Sequence, residues 1–350
     1  MPPRNSGQSM YKYINVDGTF INKDSLSAED TLRYASTADS GTTPTLSLPF
    51  PGEYCVQSNF HQKWKIFDPP TGKVTTVYGD TYDENRVLQE IQASLSASRL
   101  EIAPRVFDYS VQDKWITEEL IHGKELWPVK WDEARTYYTE HLNVLIAEII
   151  KGSPITKVRA LDYVLPKVKA INGFFQASSH LTPVSGRILE FVDDVSKQII
   201  EHYANETVLL VATHGDFKFS HVILTDRGPR VIDWETIGTR SVLFDFLNPI
   251  CPWLIHHEIT RTEGKEFSLI MNSFCQHFER ISDALLVTEL KNNWLQYKLL
   301  FCIERMARIL EIKGLTRQRI EKGMNRTIEG CNAFNKKIDI EVRNDSQKKL

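Results

Sequence analysis

The sequence predicts an α+β protein with two lobes, a small antiparallel-sheet N-lobe followed by a mainly helical C-lobe. Short runs rich in β-branched and aromatic residues are concentrated between residues 54 and 117. After residue 126, apolar residues recur at spacings of three and four, which is the period of a helix with one buried face. The chain has 350 residues, enough to bury a core in each lobe.

Composition and charge narrow the classes of function. The net charge is −3, and 42 basic residues are interspersed with 45 acidic ones, so we expect no nucleic-acid partner and favour a small-molecule or sugar substrate. The five cysteines form no C-x-x-C pair, which disfavours a disulfide framework and a zinc site. No run of about 18 apolar residues and no apolar leader is present, so we expect no transmembrane segment and a cytoplasmic location.

The N-lobe is predicted over residues 49–123. Residues 1–48 are rich in Ser, Thr, Asp and Gly without a sustained period, so we expect an irregular N-terminal extension. The runs at 63–67 and 73–78 flank a Pro-Pro-Thr-Gly turn, which predicts a β-hairpin. A helix over 83–97 and two further strands complete the predicted lobe.

The C-lobe is predicted over residues 124–335, and a polar tail that frays over 336–350. The apolar pattern predicts helices near residues 131–151, 156–178, 186–204, 262–287 and 291–312. In the last of these helices, the predicted core-facing stripe consists of Leu295, Leu299, Cys302, Met306 and Leu310.

Two short polar motifs lie between the predicted helices. Residues 214–216 read His-Gly-Asp, and residues 232–234 read Ile-Asp-Trp. A turn at 226–229 separates the two apolar runs that carry them. We therefore expect Asp216 and Asp233 to converge at one end of a hairpin.

Paired carboxylates in this arrangement suit phosphoryl transfer. This reaction needs a carboxylate to orient the attacking hydroxyl and accept its proton, and it needs hard oxygen ligands for Mg²⁺. Asp216 suits the first task and Asp233 the second. Lys218 follows Asp216 by two residues and is a candidate contact for the γ-phosphate.

These motifs resemble those of the aminoglycoside phosphotransferase and choline kinase family, which read H-G-D-x-x-x-x-N and then I-D-[WFY]-E. The resemblance covers residues 50–335 and implies a bilobal protein-kinase-like fold. It also implies transfer of the γ-phosphoryl group of ATP, or of GTP, with Mg²⁺, to a hydroxyl of a small molecule or saccharide.

Further site residues follow from the same resemblance. Glu90 matches the helix glutamate that pairs with a lysine of the sheet, and Glu119 opens a hinge segment over 119–123 that borders the nucleotide. Asp245 matches the structural aspartate of the family.

Two positions depart from the family pattern. His221 stands where the family has Asn, and it is either a metal ligand or a buried histidine bonded to backbone, because imidazole suits hard Mg²⁺ less than an amide oxygen does. For the lysine that contacts the phosphates and pairs with Glu90, spacing favours Lys73 and the strand pattern favours Lys65. A pseudokinase or nucleotide-binding module that keeps the fold without turnover is therefore the alternative to an active enzyme.

In this family the helices of the C-lobe build the acceptor pocket. Acidic and aromatic side chains that suit an amine-bearing or sugar substrate are available there, namely Glu258, Glu263, Glu266, Trp253, Trp294 and Tyr297.

Overall fold

The structure is a computed structural model. It describes residues 9–12, 14–16, 19–21, 45–48, 50, 52, 54–58, 63–79, 82–128, 130–177, 182–256, 261–282, 284–312 and 315–347. The chain divides into two units, Met1–Gly123 and Lys124–Leu350. The first is mainly antiparallel sheet and the second mainly helical, which confirms the predicted fold class.

The described part of the first unit holds nine strands, seven of which form one antiparallel sheet in the order β2-β3-β5-β6-β7-β9-β8, while β1 pairs with β4. The strands are β1 (Ser9–Lys12), β2 (Ile14–Val16), β3 (Thr19–Ile21), β4 (Thr45–Leu48), β5 (Tyr54–Ser58), β6 (Lys63–Asp68), β7 (Lys73–Tyr78), β8 (Val106–Ser110) and β9 (Trp115–Glu119). Four of them lie in the stretch that we expected to be irregular. Their short length explains why no sustained period marks them in the sequence.

The predicted hairpin joins β6 to β7. A single 3₁₀ turn, Pro69–Thr71, connects the strands, and Gly72 ends it in the left-handed conformation with φ +65°. One helix, α1 (Glu84–Ala97), follows the hairpin, and the Asp83 side chain caps its first turn by accepting from the Arg86 N–H. Its apolar face packs into the core of this unit, which consists of Tyr78, Tyr82, Val87, Ile91 and Ile116.

The second unit contains nine α-helices in its described residues. They are α2 (Trp131–Tyr137), α3 (Asn143–Lys151), α4 (Ala160–Gln176), α5 (Pro183–Tyr203), α6 (Phe244–His256), α7 (Arg261–Glu279), α8 (Ala284–Asn292), α9 (Trp294–Glu311) and α10 (Arg317–Gln347), with a π turn at Tyr138–Leu142 between α2 and α3. No helix in the described ranges is long and apolar enough to cross a membrane.

Two three-stranded sheets complete the second unit. One has the order β10-β13-β14 and the other β11-β12-β15. Their strands are β10 (Lys124–Glu125), β11 (Thr156–Arg159), β12 (Thr207–Thr213), β13 (Val222–Thr225), β14 (Gly228–Val231) and β15 (Gly238–Ser241).

Three elements differ from the prediction. Residues 156–159 are a strand instead of the start of a helix, because they pair with β12 along their whole length. The helix expected over 262–287 is broken between Glu279 and Ala284. The polar residues from 336 to 347 continue α10, since helix propagation adds one hydrogen bond per residue to a helix that is already formed.

The helix α9 is the centre of the second unit. It packs against α4, α5, α6, α10 and β15, so it is buried on most of its circumference. Leu295 of the predicted stripe is exposed, whereas Tyr297, Leu300 and Phe301 are buried. The stripe was therefore only partly right, because a helix surrounded on several sides has no single apolar face.

Candidate active site

The two polar motifs are carried by neighbouring strand ends of the second unit. The first follows β12, and the second follows β14, whose hairpin with β13 pairs Val222 with Val231 and Thr225 with Gly228. The hairpin expected around the turn at 226–229 is confirmed. The β12 strand belongs to the other sheet, where it lies between β11 and β15.

His214 joins the two motifs. Its ring is buried, Nε2 lies 2.9 Å from the carbonyl oxygen of Ile232, and Nδ1 accepts a hydrogen bond from the Asp216 N–H at 3.3 Å. A carbonyl oxygen only accepts, so Nε2 carries the proton and Nδ1 is bare. Burial lowers the pKa of His214, which favours this neutral form. The imidazole thereby holds the backbone N–H of Asp216 and the backbone carbonyl of Ile232, the residue before Asp233.

The first turn of α6 holds the loop from the other side. The Asp245 carboxylate accepts the backbone N–H of His214 at 2.5 Å and that of Gly215 at 3.0 Å. One turn later, the Asn248 amide donates to the carbonyl oxygen of Phe217 at 2.8 Å. The structural role that the family resemblance implied for Asp245 agrees with these bonds. Sequence reasoning did not find Asn248, because only the helix places it against the loop.

Gly215 has no room for a side chain in this loop. It has φ +83°, and an added Cβ would lie 2.3 Å from the Thr236 carbonyl oxygen and 2.6 Å from Nη1 of Arg240. We expect Gly215→Ala to lower the free energy of unfolding by about 1–2 kcal/mol through the left-handed backbone and by about 1–3 kcal/mol through overpacking. Urea denaturation followed by circular dichroism measures the loss.

Gly228→Ala is the matched control for this variant. Gly228 also has a positive φ, +107°, but no atom lies within 4 Å of the added Cβ. It should therefore show the backbone cost alone. Equal losses for both variants would contradict the close packing of Arg240 and Thr236 against Gly215.

The Asp216 and Asp233 carboxylates face the same imidazole. Nδ1 of His221 lies 3.9 Å from Oδ2 of Asp216, and Nε2 lies 3.3 Å from Oδ2 of Asp233. His221 is buried, whereas the side chains of Asp216 and Asp233 are 44% and 31% exposed. Lys218 donates to Oδ2 of Asp216 at 3.1 Å. The expected convergence of the two carboxylates is confirmed, and both remain accessible to a ligand.

Asp233 has a strained backbone, with φ +63°. Asp and Asn are the non-glycine residues that adopt this left-handed conformation most readily, at a cost of about 1–2 kcal/mol. Strain of this kind is concentrated at functional sites, where surrounding contacts hold it in place.

The donor atoms of Asp233 and His221 fit adjacent positions around one cation. Octahedral coordination with bonds of about 2.1 Å places neighbouring donors about 3 Å apart, and these two atoms are 3.3 Å apart. Within the described ranges, no group of three or more His, Cys, Asp or Glu side chains is arranged to hold a metal ion. A cation here would therefore take its other ligands from phosphate oxygens and water, as Mg²⁺ does in nucleotide sites.

In the first unit, Glu90 pairs with a lysine that sequence reasoning missed, and Nε of Arg86 lies 3.6 Å from Oε1 of Glu90. Lys63 is the first residue of β6 and is buried. Its ammonium lies 2.6 Å from Oε2 of Glu90, 5.5 Å from the centre of the Tyr78 ring and 5.6 Å from the centre of the Tyr82 ring. The pair depends on the register of the sheet, which places Lys63 opposite Tyr78, and on the packing of α1 against the same strand. No spacing rule along the chain reveals that register.

The other residues predicted to bind the nucleotide lie elsewhere in the first unit. Lys73 is exposed at the start of β7, with its ammonium 5.4 Å from the Phe107 ring, and Lys65 lies opposite Thr76 in the sheet. Glu119 ends β9, where its carboxylate accepts the Arg105 N–H at 3.2 Å. The structure thus places the Glu90 carboxylate against Lys63.

The side chains suggested for an acceptor pocket are only partly described. Glu258 and the side chains of Trp253, Glu263 and Glu266 lie outside the described residues. Trp294 and Tyr297 are buried, and the Tyr297 hydroxyl accepts the Leu209 N–H at 2.9 Å. These two aromatic residues are core residues of α9.

Comparison with solved structures agrees with this architecture. The structure is similar to an ethanolamine kinase from Plasmodium vivax, with a TM-score of 0.51 and 14% identity over 93% of this chain and 83% of that one. It is also similar to a choline kinase from Cryptosporidium parvum, with a TM-score of 0.50 and 15% identity over 89% and 90% of the two chains. An ADP-bound aminoglycoside phosphotransferase has a TM-score of 0.45 and 15% identity over 88% and 99% of the two chains.

No protein-family model and no curated protein sequence matches the chain. The fold is nevertheless identified by the two neighbours with TM-scores of 0.50 and 0.51, because the structural similarity extends over most of both chains. The chain has the kinase-like fold found in choline and ethanolamine kinases.

Proposed function

We propose that this protein is a phosphotransferase that moves the γ-phosphoryl group of ATP to a hydroxyl of a small molecule or saccharide. The acceptor oxygen forms a bond to the γ-phosphorus, the bond between that phosphorus and the β-γ bridging oxygen breaks, and ADP leaves. The hydroxyl proton passes to Asp216. The observation that carries the proposal is the position of Asp216 and Asp233 on either side of His221, held there by His214.

Asp216 is suited to the role of the base. Its carboxylate is 44% exposed, so an acceptor hydroxyl can reach it, and its backbone N–H is anchored to His214. A base that is held in place contributes to the rate because the proton it accepts must lie within hydrogen-bond distance. Lys218 contacts the same carboxylate and supplies positive charge near the transferred group.

Asp233 and His221 are the proposed protein ligands of Mg²⁺, which would neutralise charge on the phosphate oxygens when bound. Their donor separation supports this assignment. In the first unit, Lys63 is the proposed contact to the α- and β-phosphates, and Glu90 orients its ammonium. This assignment replaces Lys73, because Lys63 is the lysine that pairs with Glu90.

A second candidate is a nucleotide-binding module without turnover. It is favoured by His221, because an imidazole replaces a harder oxygen donor at a metal position. The two candidates differ in what they do with bound nucleotide: the enzyme transfers phosphate, and the module only binds.

Nucleotide binding and phosphoryl transfer should be measured on the same preparation. Calorimetric titration with ATP and with GTP, each with Mg²⁺ and with EDTA, establishes binding, and radiolabelled γ-phosphate with pooled hydroxyl compounds establishes transfer. We expect metal-dependent binding and a labelled product. Binding without any labelled product or released phosphate would favour the module, and absence of binding would overturn both candidates.

Lys63→Met tests the assignment of the phosphate contact. A hydrogen bond to a charged group contributes about 1.5–3 kcal/mol, so the Kd for MgATP should rise roughly 10- to 100-fold. Lys73→Met is the matched control and should leave the Kd unchanged, because Lys73 is exposed and begins β7, whereas Lys63 lies opposite Tyr78 at the other end of that strand. Isothermal titration calorimetry measures both.

Loss of Lys63 also leaves the Glu90 carboxylate, which is 13% exposed, without this cation. Removing one partner of a buried pair costs about 3–5 kcal/mol of stability, so binding should also be measured in the double variant Lys63→Met/Glu90→Gln. Wild-type affinity in a folded double variant would show that Lys63 does not contact the nucleotide.

A further inference from the structure

A group of cationic side chains includes Arg240, which packs against Gly215 in the loop that carries Asp216. Lys167 projects from α4, Arg240 from β15 and Arg308 from α9. Two carboxylates of α9, Glu304 and Glu311, lie among them. The group has three positive and two negative side chains.

Two of these side chains, Glu304 and Arg240, are hydrogen-bonded within the protein. Buried Glu304 accepts hydrogen bonds from the Ser241 N–H at 2.8 Å, from the Ser241 hydroxyl at 2.5 Å and from the Tyr163 hydroxyl. Arg240 donates to the Thr213 hydroxyl at 2.9 Å and to the Thr236 carbonyl oxygen at 3.2 Å. Both residues therefore have structural tasks.

Arg308 is different from its neighbours. Its side chain is only 15% exposed, yet its guanidinium donates no hydrogen bond to any residue that the structure describes. Its ion-pair contact is to Glu311, with Nε 4.0 Å from an oxygen that also lies 3.5 Å from Arg240. The Glu311 side chain is 61% exposed, so water screens this contact.

A half-buried guanidinium with unused donors favours an anionic ligand. Arginine presents its N–H groups in a planar fork that matches the two oxygens of a carboxylate or of a phosphate. Burial of these donors without partners is costly, and a bound anion removes that cost.

The position of Arg308 relates this site to the proposed chemistry. Arg240, which shares Glu311 with Arg308, packs against Gly215, the residue before Asp216. Burial lowers the pKa of Arg308, and Arg240 lowers it further, whereas Glu311, Asp216 and Glu235 oppose the change. The contacts of Arg308 with Glu311, of Glu311 with Arg240 and of Arg240 with Gly215 therefore connect the guanidinium to the loop that carries Asp216.

We propose that Arg308 binds an anionic group of the acceptor, so that the substrate is a hydroxyl compound that also carries a carboxylate or a phosphate. Lys167 adds positive charge on the same side, with its ammonium 3.6 Å from the centre of the Tyr163 ring. This inference rests on the proposed phosphotransferase function and specifies the class of its substrate.

Anion binding to the full chain tests the inference without knowledge of the acceptor. Sodium sulfate represents a phosphate group and sodium acetate a carboxylate, and each is titrated at constant ionic strength against sodium chloride while thermal unfolding is followed. The nucleotide site is filled with the non-hydrolysable analogue AMP-PNP and Mg²⁺. We expect saturable stabilisation by one of the two anions, and the better anion identifies the group.

Three variants separate the contribution of Arg308 from general charge effects. Arg308→Met should weaken binding of that anion at least about tenfold, because it removes charge-assisted hydrogen bonds. Arg308→Lys should lie between Arg308→Met and wild type, since it keeps the charge and loses the fork. Arg305→Met is the matched control on the same helix, where Arg305 is also half-buried, and should behave as wild type.

The outcomes distinguish this inference from the proposed function. The subsite is overturned if wild type and Arg308→Met bind the anion equally well, or if neither anion produces a specific response. In either case, MgATP binding would still support the proposed phosphotransferase function. A tenfold loss of MgATP affinity in Arg308→Met would assign Arg308 to the nucleotide and also overturn the subsite. Anion binding that depends on Arg308 in a protein without MgATP binding would retain the subsite and reject the phosphotransferase.

Discussion

Replacement of Asp216 by Asn is expected to lower the rate of phosphoryl transfer by about 10²- to 10⁴-fold, the usual contribution of a positioned general base. The amide has the shape of the carboxylate but cannot accept the hydroxyl proton. The backbone bond from Asp216 to His214 does not involve the side chain, so the loop should keep its conformation. The affinity for MgATP should change less than about threefold, because the proposed metal ligand is Asp233.

The rate is measured as release of labelled phosphate from ATP, with the identified acceptor where transfer is found and with water as the acceptor otherwise. Asp226→Asn is the control, because Asp226 is an exposed aspartate in the turn of the same hairpin. Unchanged transfer in Asp216→Asn, with normal folding, would remove Asp216 from the role of base.

Replacement of Asp233 by Asn is expected to abolish most of the effect of Mg²⁺ on nucleotide binding. Loss of residues that only support metal ligands typically costs 10- to 100-fold in metal affinity, so loss of a direct carboxylate ligand should cost at least about tenfold. Asn is the appropriate substitution because it tolerates the left-handed backbone at this position, φ +63°. A loss of binding is then attributable to the carboxylate and not to unfolding.

Calorimetric titration of ATP with Mg²⁺ and with EDTA measures this effect. Wild type should bind more tightly with Mg²⁺, and Asp233→Asn should bind with nearly the same Kd in both conditions. The Asp226→Asn control should retain the difference. A full metal effect in Asp233→Asn would show that the cation is held by other groups.

His221 shows how sequence and structure differ in what they reveal. The sequence shows that an imidazole replaces the expected amide, but it cannot tell whether the ring reaches the metal position. In the structure, one ring nitrogen faces each carboxylate, at 3.9 and 3.3 Å. A role as a ligand next to Asp233 therefore remains a proposal with a geometric basis.

The phosphate-contacting lysine was the least predictable part of the site. Distance along the chain favoured Lys73, yet Glu90 pairs with Lys63, which lies 27 positions before it (90 − 63). The reason is that Lys63 is placed by the register of the sheet and Glu90 by the packing of α1 against that sheet, and neither depends on distance along the chain. The unused donors of Arg308 are likewise visible only once three elements pack together.

The sequence by itself determined the two-part architecture, the hairpin after Asp216 and the convergence of Asp216 with Asp233. These features follow from local patterns, since helix and strand periods and turn residues act over a few positions. The tertiary structure decided the partner of Glu90, the place of β12 between β11 and β15, and the burial of Tyr297. Those properties depend on contacts between residues far apart in the chain, and local propensity carries no information about such contacts.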